Sequence, residues 1–339
     1  MNRNNIQQGS ALYSLPDEQL FYEVSGPVSQ IRPSEIFQQQ GFIFAPFDHT
    51  KLPIYHISGQ PRLTILEEHH FTSLRKTSYP DHEPVSRESY QKMFDECMNR
   101  LEKGEVDKIV LSVREIEEKN LPDIPYFLSQ LRDAYPHAFI FAFYMPDQEF
   151  WIGATPELLL DTQYPFQRTV ALAGTLTDAP LLEDWGAKER EEHRFVEIFV
   201  EEKLEGKPYK KEGPQPIQAG PVHHLCTQYY IHMESAPVNP VELHPSPALS
   251  GFPVPGIFSH IRGVEPHDRR YYTGFLGPIW NDGHSKFFIN LRCLEIFEKE
   301  VALYAGGGMT KDSDPDIEWA EINHKLSTLR TKFLKDEKV

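Results

Sequence analysis

The stretch from Phe287 to Lys325, FFINLRCLEIFEKEVALYAGGGMTKDSDPDIEWAEINHK, constrains this chain more than any other. Phe287, Ile289, Leu291 and Cys293 alternate with Phe288, Asn290, Arg292 and Leu294, which is the period of a strand. The alternation places Arg292 mid-strand among apolar neighbours, where its permanent charge needs an anion or an acidic side chain. A second strand over Val301–Ala305 runs into Gly306-Gly307-Gly308, a turn expected to expose backbone N–H groups. Asp314 then reads as an N-cap with Pro315 at the first helical position.

On that helix Ile322, Leu326, Leu329 and Phe333 form an apolar stripe, and Glu318, Glu321 and Lys325 line a row beside it. Two readings of the row stand. It is a solvated polar face with an internal Glu–Lys pair, or it is the acidic part of a site that holds an anion through a cation. Carboxylates beside a buried face are costly to desolvate unless something positive meets them.

A chain of 339 residues with 40% hydrophobic content is long enough to bury a large core as one domain or two intimately packed ones. The formal net charge of −16, with no Lys/Arg block, argues against nucleic acid and acidic membrane surfaces as partners. An anionic ligand must then be caught by a local cationic pocket. Cys97, Cys226 and Cys293 form no CxxC pair and no zinc spacing, as suits a reducing compartment. The first residues lack a signal-peptide core and no 18-residue apolar run occurs, so the expectation is a soluble, cytoplasmic protein.

Residues 1–85 form a separate, less legible part, with short strands expected at Gly41–Phe47 and between Leu52 and Ile65. Asp81-His82-Glu83-Pro84 reads as a polar turn in preference to a metal loop. Ser86–Leu101 has helical spacing, ended by Gly104. Lys108 opens the strand KIVLSV. It is a surface end-of-strand lysine or, if buried, a base, because burial disfavours the ammonium. His137–Met145 is apolar enough for a strand covered on both faces.

In EFWIGATPELLLD, Glu157 sits between two apolar runs, as a proton donor with a raised pKa or as an exposed strand-edge residue. Val170–Thr175 is a strand ending in small residues. A helix over Asp184–Leu204 puts Glu192 in the middle of an apolar face, with Val196, Phe199 and Lys203 on it and the other charges around it. Glu192, Glu318 and Glu321 on two packed helices would make an all-oxygen site of the kind magnesium takes. Residues 205–221 read as a loop, and His223, His224 and His232 lack a paired zinc-ligand spacing.

KIVLS, GATPELLL, ALAGT, KEREEH, HPSPALSGFP, the Arg292 strand, AGGGM and the Glu-Trp-Ala-Glu helix with Lys325 occur in the order seen in the chorismate-utilising enzymes related to anthranilate synthase component I. From about residue 90 to 330 the chain resembles that family, and within it isochorismate synthases most. The resemblance implies a single large α/β (α+β) domain of two packed antiparallel sheets with helices outside. Residues 86–339 would form the chorismate-binding catalytic region, with 1–85 supplying outer strands.

It also implies roles. Lys108 matches the lysine that activates water for attack at C2 of chorismate, and Glu157 the acid that protonates the departing C4 hydroxyl. Glu192 and Glu321 match magnesium ligands, with Glu318 contributing directly or through water. Arg292, the N–H of Gly306 and Lys325 match groups that hold the substrate carboxylates. Gly174, Thr175 and Ala248 match pocket walls, and Tyr272 an aromatic facing the side-chain carboxylate. The implied partner is chorismate, with Mg²⁺ as cofactor and a monomer as the assembly. The product would feed menaquinone or siderophore biosynthesis.

Aminating relatives lack the lysine at position 108, and aminodeoxychorismate synthases carry PIKGT where this chain has ALAGT with Ala173, so water attack is favoured. Salicylate synthases keep the lysine and remain an alternative, as does an inactive dicarboxylate-binding homologue. Three features depart from the family pattern. Ser112-Val113-Arg114 displaces the SR dipeptide by one, Ile322 replaces a threonine, and the chain is short.

Overall fold

The computed structural model describes residues 7–66, 84–118, 123–146, 148–176, 179–219, 222–233, 237–254 and 256–333, with the side chains of 175, 219, 222, 328, 329, 332 and 333 outside the description. Asp81, His82 and Glu83 of the expected polar turn therefore lie outside the described residues, as do the side chains of Leu329 and Phe333 in the expected stripe.

In chain order the strands and helices begin with β1 (Gln8–Ser14), β2 (Phe21–Ile31), β3 (Gly41–Ala45), β4 (Ile54–Ser58) and β5 (Arg62–Thr64). Then come α1 (Arg87–Glu102), β6 (Lys108–Glu118), α2 (Ile124–Ala134), β7 (Phe139–Met145), β8 (Glu149–Thr155), β9 (Leu158–Gln163) and β10 (Phe166–Leu176). The middle holds α3 (Ala187–Lys203), β11 (Tyr209–Ala219), β12 (Val222–His232), β13 (Gly251–Phe252) and α4 (Ile257–Val264). The chain closes with β14 (Phe275–Ile279), β15 (Ser285–Ile289), β16 (Cys293–Ile296), β17 (Glu300–Met309) and α5 (Pro315–Phe333).

All pairings are antiparallel and fall into two sheets. One runs β5-β2-β1-β7-β8-β16-β17-β6-β13. The other runs β11-β12-β10-β9-β15-β14-β3-β4 and rejoins β2, whose two ends belong to different sheets. The N-terminal strands β1–β5 thus complete the outer ends of both sheets.

Three cores explain the layering. Aromatic side chains fill the space between the sheets, with Phe139 stacked on Phe288 at 4.4 Å and Phe44 on Phe143 at 4.2 Å. The alternate residues Ile140 and Ala142 of β7 face the other way, into a core shared with α1, α2 and α5. This is why the run over β7 is apolar on both faces. On the far side α3 packs Val196, Phe199 and Val200 against Ala171, Tyr229 and Ile231. The architecture is the expected pair of antiparallel sheets with helices outside. No helix among the described residues is long and apolar enough to cross a membrane.

Four expectations need correction. Residues 209–219 form β11, which among the described residues is an edge strand paired only with β12; the register shift between Glu212 and Gln215 takes up Gly213 and Pro214. Proline is tolerated there because an edge strand has one unpaired side. The triple glycine is no turn: Gly306, Gly307 and Gly308 lie within β17, opposite Ser112, Leu111 and Val110 of β6.

Arg292 is not mid-strand. It sits in the break between β15 and β16 with φ +46°, and its carbonyl accepts from Ala154 N–H at 3.2 Å. Strand alternation cannot detect a single left-handed residue between two short strands. On α3 the buried face centres on His193, Val196, Glu197 and Val200, so Glu192 lies at its margin instead of its middle.

Candidate active site

The candidate site lies where the first residue of β6, the break after β8, the break before β16 and the first turns of α3 and α5 meet. Lys108 is 4% exposed, and its Nζ is 3.6 Å from the Glu192 carboxylate of α3. It fits because residue 308 is glycine: a Cβ there would lie 2.9 Å from Lys108 Cε. The neighbouring glycines also make room. A Cβ at Gly306 would meet the Tyr272 hydroxyl at 3.1 Å, and one at Gly307 would reach Glu318 at 3.6 Å. The glycines serve close approach of functional side chains.

Glu157 follows the cis-free Thr155-Pro156 corner between β8 and β9, with its carbonyl accepting from Ile289 N–H at 2.9 Å and its N–H donating to Thr155 Oγ1. Burial pushes its carboxyl up to about 7, against the pull of the nearby charges of Lys108, Lys325 and Arg292. A carboxyl balanced this way can hold its proton near neutral pH and still release it. Burial lowers the Arg292 pKa, with Tyr135 and Glu157 opposing.

On α5, Asp314 caps the helix by accepting from Asp316 and Ile317 N–H groups. Glu318 is buried and accepts from Ser313 Oγ at 2.8 Å; Lys188 of α3 lies 3.9 Å away. Burial raises the Glu318 pKa; the negative charges of Glu321 and Glu192 add to that rise, while Ser313 and Lys188 oppose it. Burial acts upward on Glu321 too, but Lys325 at 2.7 Å outweighs it and holds the carboxyl below its usual range. Lys325 also donates to the Gly306 carbonyl at 2.9 Å.

Tyr272 is buried and stacked on Tyr304, its pKa raised chiefly by burial. Gly174, at φ +74°, presents its carbonyl to His224 Nδ1 at 2.9 Å, so that nitrogen is the donor. Burial lowers the His224 pKa, and the charges of Arg292 and Lys325 push it the same way. Histidine 224 had no claim on a zinc spacing. No other role for it is legible in the sequence; it lies on the β12 face opposite Thr227 and Tyr229, which meet α3 residues. Ala248 is half-buried in a loop joined to β6 by Val110 N–H and the Ser250 carbonyl. The Thr175 side chain lies outside the described residues.

The structure therefore brings Lys108, Glu157, Arg292, Lys325, Glu321, Tyr272 and the Gly174–His224 pair into one electrostatically coupled cleft, with Glu192 and the buried Glu318 beside them. Among the described residues no three acidic, histidine or cysteine groups converge closely enough to ligate one ion. Glu192, Glu318 and Glu321 each face an ammonium instead. In donor chemistry they fit a hard divalent cation. They are carboxylates only, and Glu192 and Glu321 both disfavour charge on Glu318.

The family model described as chorismate binding enzyme matches residues 56–334. The isochorismate synthase EntC of Escherichia coli is 31% identical over 245 residues, covering 68% of this chain and 63% of its own length. A crystal structure described as a putative 2,3-dihydroxybenzoate-specific isochorismate synthase from Bacillus anthracis shares the fold at TM-score 0.80 and 24% identity, covering 96% of each chain. The menaquinone-specific isochorismate synthase MenF of Escherichia coli does so at TM-score 0.79 and 20% identity, over 97% of this chain and 89% of that one. The cleft at the β6, α3 and α5 termini thus lies within a match spanning most of the sequence, and the chain belongs to the chorismate binding enzyme family.

Proposed function

We propose that this protein isomerises chorismate to isochorismate. The observation that carries the reading is a carboxyl pushed up to about 7 in the same cleft as a buried lysine, an acid and a base able to act on opposite ends of one substrate. The Lys108 amine takes a proton from water as its oxygen bonds to C2. Both conjugated ring double bonds shift by one position, the C4–O bond breaks, and Glu157 gives its proton to the departing hydroxyl, so that one water enters and one leaves. Arg292 and Lys325 hold the two substrate carboxylates, with the Gly306 backbone and Tyr272 alongside.

Glu192 and Glu321, with Glu318, would hold Mg²⁺, which when bound neutralises charge at a substrate carboxylate. The donor chemistry supports this assignment, because Glu192 and Glu321 both disfavour charge on Glu318 and a divalent cation would relieve that repulsion. Product analysis after incubation with chorismate and Mg²⁺ tests the reading. Isochorismate supports it, salicylate plus pyruvate favours the lyase alternative, and unchanged chorismate favours a binding protein.

A further inference from the structure

Arg269 and Glu265 form a buried bidentate pair that the proposed chemistry does not touch. Arg269 is 2% exposed and Glu265 8%. Arg269 Nε donates to Glu265 Oε2 at 2.9 Å and Nη2 to Oε1 at 2.6 Å. Two further donors leave the pair: Nη1 to the Leu249 carbonyl and Nη2 to the Val110 carbonyl, both at 2.7 Å. Glu265 in turn accepts from Ser112 N–H at 2.7 Å. Phe47 covers the guanidinium, its ring centroid 4.6 Å away.

The meaning lies in what β6 lacks. One edge of β6 pairs with β17 from Ile109 to Glu118. On the other edge β13 pairs only with Lys108 and Ile109, and Val110 N–H continues to the Ser250 carbonyl. Beyond that point no strand follows among the described residues, and Val85 N–H meets the edge at the Arg114 carbonyl. Of the backbone groups between, Val110 C=O and Ser112 N–H are satisfied by Arg269 and Glu265 side chains. Buried backbone groups must find partners. An ion pair is a costly way to supply them, since two charges must be desolvated.

What the pair adds is direction. It ties β6 to the 246–250 loop just past Lys108, where there is little slack: a Cβ on Gly308 would already clash with Lys108 Cε. We infer that the Glu265–Arg269 pair is a positioning device for Lys108, standing in for a missing strand at residues 110–112 and fixing where the amine sits. Ser112 and His267, bonded at 2.9 Å beside it, are both buried and serve the same packing. The inference rests on Lys108 being the base of the proposed reaction.

Arg269→Lys is the test, because an ammonium cannot reach Glu265, Val110 and Leu249 in fixed fork geometry. Misplacing a reacting group by ~1 Å costs about 10²-fold, so kcat should fall by that order while KM for chorismate stays within about threefold. In protein labelled with ¹³C-lysine, the Lys108 Cε resonance, assigned with Lys108→Gln, should shift. If Arg269→Lys does not fold, Glu265→Met/Arg269→Met removes both charges and is read the same way. An unchanged kcat, or a fall in kcat with the Lys108 resonance unmoved, overturns the inference. Wild-type turnover by Lys108→Gln would instead sink the base assignment, and the resonance would still judge the clamp.

Discussion

Lys108 Nζ lies 3.6 Å from the Glu192 carboxylate, so the first residue of β6 and the second turn of α3 meet across the cleft. The contact joins the proposed base to a proposed metal ligand, and loss of either side chain strands a charge in a largely buried place. Lys108→Gln should keep the fold and substrate binding but lose nearly all water addition. High ammonium should then restore an aminated product, because an amine nucleophile needs no base. Mass analysis of the products decides, and full isochorismate formation by this variant would remove Lys108 from the mechanism.

Glu157→Gln keeps the shape of the side chain and cannot donate a proton. Turnover should slow by about 10²–10⁴ with little change in substrate affinity, because Arg292 and Lys325 do the holding. The pH profile gives a second readout. An acid with a pKa near 7 is lost as pH rises through that value, so wild-type kcat should decline above neutrality and the variant's residual rate should not. A near wild-type rate for the variant would return Glu157 to an ordinary strand-edge residue.

The same group sets a slope in stability. Its folded pKa, about 7, lies above the ordinary 4.5, so the folded state binds this proton more tightly than the unfolded chain does. The resulting stabilisation is complete below the unfolded value and is lost as pH rises through the folded one. Between pH 5 and 8 the melting temperature of the wild type should therefore fall relative to that of Glu157→Gln. Parallel melting curves across that window would contradict the burial of the carboxyl.

Gly308→Ala separates activity from fold. The added methyl would meet Lys108 Cε, the far end of a flexible chain, at 2.9 Å. The lysine can swing aside, so stability should change by no more than about 1 kcal/mol while turnover drops sharply. At Gly306 a Cβ would instead meet the Leu111 carbonyl at 2.8 Å, and backbone cannot yield as easily. Gly306→Ala should cost stability, measured by urea unfolding. Equal effects on activity and stability at both positions would refute the distinction.

If Glu192, Glu318 and Glu321 hold a divalent cation, excess EDTA should abolish turnover and added Mg²⁺ should restore it. Glu192→Ala should weaken Mg²⁺ binding in calorimetry, with a smaller effect on the melting temperature. Retained activity in the chelator would take the metal out of the reading.

Much of this was legible in the residues. The cap at Asp314, the buried run of β7 and the strand opened by Lys108 follow from capping chemistry and from side-chain periods that local sequence obeys. The isolation of Glu157 between apolar runs offered a desolvated carboxyl as one of two readings, and its raised pKa favours that one. The buried Glu197 escaped because its partners, Thr227 and Lys211, come from β12 and β11, far along the chain.

By itself the sequence determined helices α1, α3 and α5 and strands such as β6 and β7, and which residue types of acid, base and cation were available to one site. The tertiary structure alone decided their contacts. It turned three glycines from an apparent turn into a strand that lets Lys108, Tyr272 and Glu318 approach, and put Arg292 in a left-handed break. It also supplied the edge of β6 with an ion pair where a strand was missing. The physical reason is common to all three. Periodicity reports how a residue sits relative to its own neighbours, whereas close approach, strain and hydrogen-bond completion depend on atoms brought there by other segments.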